Sequence, residues 1–247
     1  MEHLQTKQKN FLSIVMPAYN ESEIISKVIA DLSEKVLDNF EQSEFIIVND
    51  CSTDNTLEML YKSQEKYPNL RIITNEKNSG HGASLLRGLT EAKGDYIMQN
   101  DSDDQFFAED FWILFERLQK SHFDMVIGHR KERHDAFHRK LISFFERIAI
   151  FLLFRLYIKD GNSPFRIYKK NTMDKILPKV KVLNPFFPSI LLALCAKKIG
   201  LRVGEISVRH KTRKTGTTFI RSFKIIKLCG AAIKELFIFK QLLKTIK

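Results

Sequence analysis

Short apolar runs alternate with amphipathic stretches along the first half of the chain. Phe11–Met16 (FLSIVM) is a compact apolar run stopped by Pro17, and Phe45–Val48 (FIIV) is a second, ended by Asn49-Asp50. Leu70–Ile73, Tyr96–Met98 and Met125–Ile127 have the same character. Between them apolar residues fall at helical spacing: Ile24, Ile25, Val28, Ile29, Leu32 and Val36 across 22–37, then Leu57, Leu60 and Tyr61. Further helices are predicted over 83–92 and 110–119. Strands that are apolar throughout, alternating with helices, imply an α/β fold: a mostly parallel sheet covered on both faces.

The second half has a different pattern. Residues 136–158 predict a long helix carrying Arg139, Arg147 and Arg155, 164–168 a strand, 187–199 an apolar helix and 202–208 an alternating strand. From 219 onward Phe219, Phe223, Ile226, Ile233 and Phe237 recur at helical spacing beside Lys224, Lys227, Lys234 and Lys240. That pattern predicts a basic amphipathic helix with a break near Gly230. The expected organisation is one domain over 1–218 and an amphipathic C-terminal segment over 219–247.

Charge sharpens the contrast. The 247 residues carry a formal net charge of +11, yet Lys197–Lys247 holds fourteen Lys/Arg against two acidic residues. The basic character belongs to the C-terminal fifth and suits an anionic surface. The aromatic residues there share the apolar stripe instead of interleaving with the lysines, which favours a lipid surface over nucleic acid. The three cysteines (Cys51, Cys195, Cys229) form no CxxC pair, so neither a disulfide framework nor a thiolate zinc site is supported, and a cytoplasmic setting is expected. The N-terminus lacks an apolar core, and the longest apolar stretches end at Arg155 and at Lys197-Lys198, short of the roughly 20 residues that a spanning helix takes.

In sheets of this type ligands bind beyond the carboxyl ends of the strands. Polar clusters fall at several of those ends: Tyr19-Asn20-Glu21, Asn49-Asp50, Asn75–Asn78 and Asn100–Gln105. Asp101 and Asp103 stand two apart, so in an extended segment they leave the same face and can approach one hard cation, Mg²⁺ or Mn²⁺, with Gln105 adding an oxygen. A solvated acidic turn capping the helix near Asp110 is an equal alternative on these residues alone. Asp50 suits a base or ribose contact, while Ser52-Thr53-Asp54 caps the next helix. Asn78–Ala83 fits neither phosphate-loop pattern and reads as a tight loop beside a ligand. His134 and His138 have metal-permitting spacing without an accompanying HExxH. Arg130, Lys131, Arg133 and Arg139 form either a phosphate-facing cluster or a solvated basic face.

Together these segments resemble the inverting family 2 glycosyltransferases of GT-A fold, most nearly the polyprenol-phosphate sugar transferases such as the dolichol-phosphate mannosyltransferases. The resemblance rests on six stretches in order: "SIVMPAYNESEII", "IIVNDCSTDNT", "NSGHGASLLRGLTEAKGDYIMQNDSDDQF", "IGHRKERHD", "DGNSPFRIYKK" and "RKTGTT". It implies a nucleotide-sugar site made by Pro17, Tyr19, Glu21, Val48, Asp50, Asp101, Ser102, Asp103 and Gln105. It implies metal binding by Asp101, Asp103 and Gln105, and catalytic roles for Asp101, Asp103, Arg130 and Arg213. It places the acceptor phosphate near Arg130, Arg139, Asp160 and Arg166. The implied reaction moves a hexose from GDP-mannose or UDP-glucose to a polyprenyl phosphate at the cytosolic face of a membrane, and leaves room for a membrane partner or a homo-oligomer.

Two departures stand out. The loop that usually runs Arg-x-x-Gly-x-Ser-Lys here lacks its terminal lysine (Arg213–Phe219), and the paired membrane helices of many bacterial relatives are missing. In addition, members that glycosylate hydroxyls use an acidic base near the helix equivalent to 187–199, and 184–196 contains no carboxylate. A lipid phosphate is already anionic and needs no base. A hydroxyl acceptor on a polysaccharide or glycolipid is the alternative.

Overall fold

The computed structural model describes residues 7–130, 137–211 and 222–245, and within the helices that begin at 137 and 222 it describes side chains from 146 and 230 onward. Seven strands form one sheet: β1 (Gln8–Ala18), β2 (Phe40–Asn49), β3 (Leu70–Thr74), β4 (Tyr96–Gln99), β5 (Met125–Arg130), β6 (Arg166–Lys169) and β7 (Val203–Val208), in the order β3-β2-β1-β4-β6-β5-β7. All run parallel except β6, which pairs antiparallel with both β4 and β5. Helices α1 (Ile25–Lys35), α2 (Thr56–Lys66), α3 (His81–Glu91), α4 (Asp110–Lys120), α5 (Phe137–Phe154), α6 (Lys170–Lys181), α7 (Pro188–Lys198) and α8 (Ser222–Thr245) complete the fold.

The apolar strands are apolar because both of their faces are buried. Along β1 and β2, Leu12, Ile14, Met16, Phe45 and Ile47 enter one core with α1 and α4. Val15, Ile46 and Val48 enter the other, beneath α3 and α7. Alternate residues therefore serve opposite layers, as a doubly covered parallel sheet requires. At Gly88 of α3 a Cβ would stand 2.5 Å from Val15 Cγ1 and 3.1 Å from Val48 Cγ2, so glycine lets the helix lie close on the sheet.

Several expectations change in this half of the molecule. Helix α6 and the reversed direction of β6 go beyond the pattern reading; α6 carries Pro178 near its end and is rich in lysine, although Met173, Ile176, Leu177 and Val180 are buried at helical spacing. Helix α5 stops at Phe154 instead of 158, because Arg155 turns to a left-handed φ of 55°. Helix α8 continues through Gly230 without a break. The division at 218/219 lies outside the described residues, and the helix beyond it is joined to the core through Leu236 and Phe239. The two residues of the expected stripe whose side chains are described point the other way: Ile233 and Phe237 are exposed, at 47% and 52%.

Candidate functional site

The strand order reverses at β1, which lies between β2 and β4; β2 ends level with β1, Asn49 facing Ala18, while β4 ends three residues short of it, Gln99 facing Val15. Asp50 N donates to Ala18 O at 2.9 Å, Asn75 N to Asn49 O at 2.9 Å and Asn100 N to Val15 O at 3.1 Å. An open cavity of about 310 Å³ sits on that rim, where a switch in strand order favours a ligand crevice.

Each wall of the cavity is held by a specific set of bonds. Asp50, at the end of β2, is almost fully buried, and its Oδ1 accepts from Asn75 Nδ2 (2.7 Å) and Ser79 N (2.8 Å) while Oδ2 accepts from Gly80 N (2.8 Å). Burial works to raise its pKa, but these donors outweigh it and hold the carboxyl below its ordinary range. The loop it gathers ends at Gly80, whose φ of 88° suits glycine and starts α3. Opposite, the 19–22 loop is pinned by the Ser52-Thr53-Asp54 run. Asn20 N donates to Ser52 Oγ (3.1 Å), Thr53 N to Asn20 Oδ1 (2.8 Å) and Ser22 N to Asp54 Oδ2 (3.2 Å). That run also serves α2, with Asp54 Oδ1 accepting from Thr56 N at 3.0 Å.

The third wall follows β4. Asp101, Ser102 and Asp103 line the cavity with Pro17, Tyr19, Glu21 and Asp50, so seven of the residues expected at a nucleotide-sugar site meet in one place. Asn78, Gly80 and His81, from the stretch expected to form a tight loop beside a ligand, join them, as does Ser84, which was not singled out from sequence. His81, the first residue of α3, places Nε2 2.9 Å from Asp101 Oδ1. The Asp101 carboxylate, with Asp103 and Asp50 nearby, raises the imidazole pKa above its ordinary value. The Gly-His-Gly beginning of a helix after a strand was the available signal, and its reading as a tight loop missed the side chain.

Two residues of the expected nucleotide set lie elsewhere. Val48 is wholly buried under α3, because a residue in the middle of a parallel strand alternates into a core layer. Gln105 is not among the lining residues; its backbone O accepts from Lys211 N at 2.8 Å.

The expected acceptor set also divides. Arg130, at the end of β5, donates through Nε and a terminal nitrogen to the two oxygens of Asp160, both at 2.8 Å. Arg166 is fully buried at the start of β6 and donates to Ser163 O (2.6 Å), Ser189 O (2.5 Å) and Gly161 O (2.7 Å). A guanidinium enclosed by three carbonyls cannot meet a phosphate directly, so Arg166 is a strut for the 160–163 turn that carries Asp160. The side chain of Arg139, and Arg213 altogether, lie outside the described residues, as do Lys131, Arg133 and the side chains of His134 and His138.

The site can be tested for a divalent cation by its donor chemistry. Among the described residues no group of three or more His, Cys, Asp or Glu side chains is arranged to hold a metal. Two carboxylates on one rim match the way Mg²⁺ is held, by one or two carboxylates with water and substrate phosphate completing the shell. Asp101 and Asp103 fit that mode.

The sequence from 13 to 180 matches the family description "Glycosyl transferase family 2". An uncharacterized protein of Methanocaldococcus jannaschii is 29% identical over 235 residues, covering 91% of this chain and 98% of that one. A dodecaprenyl-phosphate galacturonate synthase of Rhizobium johnstonii is 27% identical over 221 residues, covering 87% of this chain and 64% of its own. A dolichyl-phosphate beta-glucosyltransferase of Dictyostelium discoideum is 27% identical over 215 residues, covering 80% and 65%. This chain thus spans just under two thirds of the length of either named transferase. In fold it is similar to glucosyl-3-phosphoglycerate synthase from Mycobacterium tuberculosis, with a TM-score of 0.70 at 18% identity over 92% of this chain and 80% of that one. The chain belongs to glycosyl transferase family 2.

Proposed function

We propose that the protein is an inverting transferase that moves a hexose from a nucleotide sugar to a polyprenyl phosphate. The observation that carries the donor half is the cavity, where Asp50 faces Asp101 and Asp103 across the strand ends. Asp50 and the 19–22 loop suit the nucleoside, and Asp101 and Asp103 with Mg²⁺ or Mn²⁺ suit its diphosphate. A cation held there supplies charge neutralisation to the departing nucleoside diphosphate.

In the reaction a phosphate oxygen of the lipid attacks the anomeric carbon, and the bond from that carbon to the donor diphosphate breaks with inversion. The nucleoside diphosphate leaves with the bonding electron pair. The attacking oxygen carries no proton, so this chain needs no general base. Residues 184–196 supply none. Glu205 pairs with Lys197 at the far end of α7 (3.2 Å), and ahead of the first turn Glu235 of α8 accepts from Phe186 N (2.6 Å) and Phe187 N (3.3 Å) and does not line the cavity. It acts there as a cap, which supports a phosphate acceptor over a hydroxyl. Arg130, oriented by Asp160, is the group we assign to the acceptor phosphate.

Two relatives whose names specify dolichyl or dodecaprenyl phosphate support the acceptor class, and their sugars, glucose and galacturonate, favour a glucose-type sugar over mannose. No described helix is long and apolar enough to cross a membrane. Lipid access is assigned to the packed pair α5 and α8, which exposes Phe151 and Leu152 on one helix and Phe237 and Ile238 on the other, with Lys234 and Lys244 of α8 also exposed.

The test is a transfer assay with UDP-glucose, GDP-mannose and related donors, polyprenyl phosphate in detergent or vesicles, and Mg²⁺ or Mn²⁺. A glycosyl-phosphoryl-polyprenol product is expected. Transfer to sugar or lipid hydroxyls alone, or no transfer to lipid phosphate from any donor, overturns the reading.

A further inference from the structure

Of the three aspartates in the 101–104 run, Asp104 does not line the cavity and has no task in the donor site. It stands at a φ of 53°, a left-handed conformation that Asp and Asn tolerate better than most residues. Its carboxylate is grasped from two sides. Lys27 of α1 places Nζ 2.5 Å from Oδ2, and Lys211, beyond β7, places Nζ 2.6 Å from Oδ1.

The grip extends along the following residues. Lys211 N donates to Gln105 O, and Phe106 pairs with His210 as an isolated antiparallel bridge. Arg209 lies 4.4 Å from the centre of the Phe107 ring while its guanidinium bonds Asp110. The turn that presents Asp101 and Asp103 is therefore fastened to α1 and to the segment after β7, elements far away in sequence. The two lysines differ in weight. Lys27 is 54% exposed, where an ion pair contributes little, whereas Lys211 is 25% exposed and Asp104 17%.

We propose that Asp104 is a positioning residue: by bridging Lys27 and Lys211 it fixes the turn in the geometry that aims the Asp101 and Asp103 carboxylates into the cavity. The inference rests on the reading of those two carboxylates as the metal and diphosphate grip. A ligand set held this way is preorganised, so its geometry costs nothing when the donor arrives.

A clamp and a simple charge effect predict different signs. If Asp104 acted only through its charge, Asp104→Asn would weaken cation binding and Lys211→Met would strengthen it. A clamp loses its function whichever end is released. The experiment uses the full chain with Asp104→Asn, which keeps the left-handed preference, with Lys211→Met, and with the double variant. Mn²⁺ binding in the presence of UDP or GDP is followed by electron paramagnetic resonance, and hydrogen–deuterium exchange of 101–106 is followed without metal. Both single variants are expected to weaken Mn²⁺ binding roughly tenfold and to speed exchange of 101–106 by a similar factor, the double variant being no worse than either, as coupled neighbours behave. Opposite shifts in Mn²⁺ affinity, or exchange unchanged in either single variant, overturn the clamp. Faster exchange in both variants, with no Mn²⁺ bound by the wild-type chain with either nucleotide, supports the clamp on the turn and overturns the metal reading instead.

Discussion

Asp160 holds Arg130 through two bonds of 2.8 Å, one to each carboxylate oxygen, with both side chains largely buried at 7% and 13% exposure. A planar, two-pronged pair fixes the direction of the guanidinium as well as its charge. The expected outcome for Arg130→Lys is a fall in turnover of roughly a hundredfold, the size of losing one aimed donor. Nucleoside diphosphate affinity should stay within about twofold, because Arg130 does not line the donor cavity. Steady-state rates across acceptor concentration, with calorimetric titration of UDP, separate the two effects. A matching loss of UDP affinity would move Arg130 to the donor side.

Asp50 gives a prediction in pH. Its carboxyl is held below the ordinary range by the Ser79 and Gly80 amides and the Asn75 side chain, against the pull of burial. A depressed folded-state pKa contributes stability above the unfolded value of about 4, and that contribution is lost as pH falls through the folded one. Asp50→Asn replaces an acceptor oxygen with an amide NH2 that faces donors, at a cost of about 2–3 kcal/mol. The stability gap between wild type and variant should be flat between pH 5 and 7, where Asp50 is ionised folded and unfolded alike, and should narrow below about pH 4. Urea unfolding at stepped pH measures it, and a gap that widens in acid would contradict the assigned bonds.

Arg166 tests whether a buried arginine is a strut or a phosphate ligand. Its guanidinium joins the carbonyls of Gly161, Ser163 and Ser189, so Arg166→Met leaves three buried acceptors without a donor. We expect a loss of about 3–5 kcal/mol, a fall in melting temperature on the order of 10 °C. A variant of normal melting temperature and raised KM for lipid phosphate would restore the direct role that its motif implies.

These residues show where sequence reasoning succeeds and where it stops. Strand runs such as Phe45–Val48 were legible because burial on both faces removes polar residues altogether, and the polar clusters at their ends marked the rim. The convergence of Tyr19, Asp50 and Asp103 followed from the parallel order. What the pattern does not encode is direction. Val48 and Asp50 differ by two positions, yet one enters the core and the other the rim. Arg130 and Arg166 both belong to basic motifs, and only packing turns one toward Asp160 and the other into a carbonyl cage. Helix α6 was obscured by Pro178 and its lysines, because a helix packed along one narrow stripe needs few apolar residues.

Helix α8 carries two apolar stripes, and they should separate in experiment. Phe239 is fully buried and meets Phe154 of α5 with ring centres 6.2 Å apart, while Phe237 and Ile238 face outward. Phe239→Ala removes a core ring and should cost about 3–5 kcal/mol of stability. The pair Phe237→Ser with Ile238→Ser removes exposed apolar surface and should leave stability within about 0.5 kcal/mol. If this face lies on lipid, that pair should lower affinity for anionic phospholipid vesicles, read by sedimentation, on the order of ten- to a hundredfold, since each half-exposed side chain forfeits roughly 0.8–1.5 kcal/mol of burial in the bilayer. The same variant should retain UDP binding, because neither residue touches the donor cavity. Unchanged vesicle binding would detach the α5–α8 face from the membrane and assign lipid access to another surface of the protein.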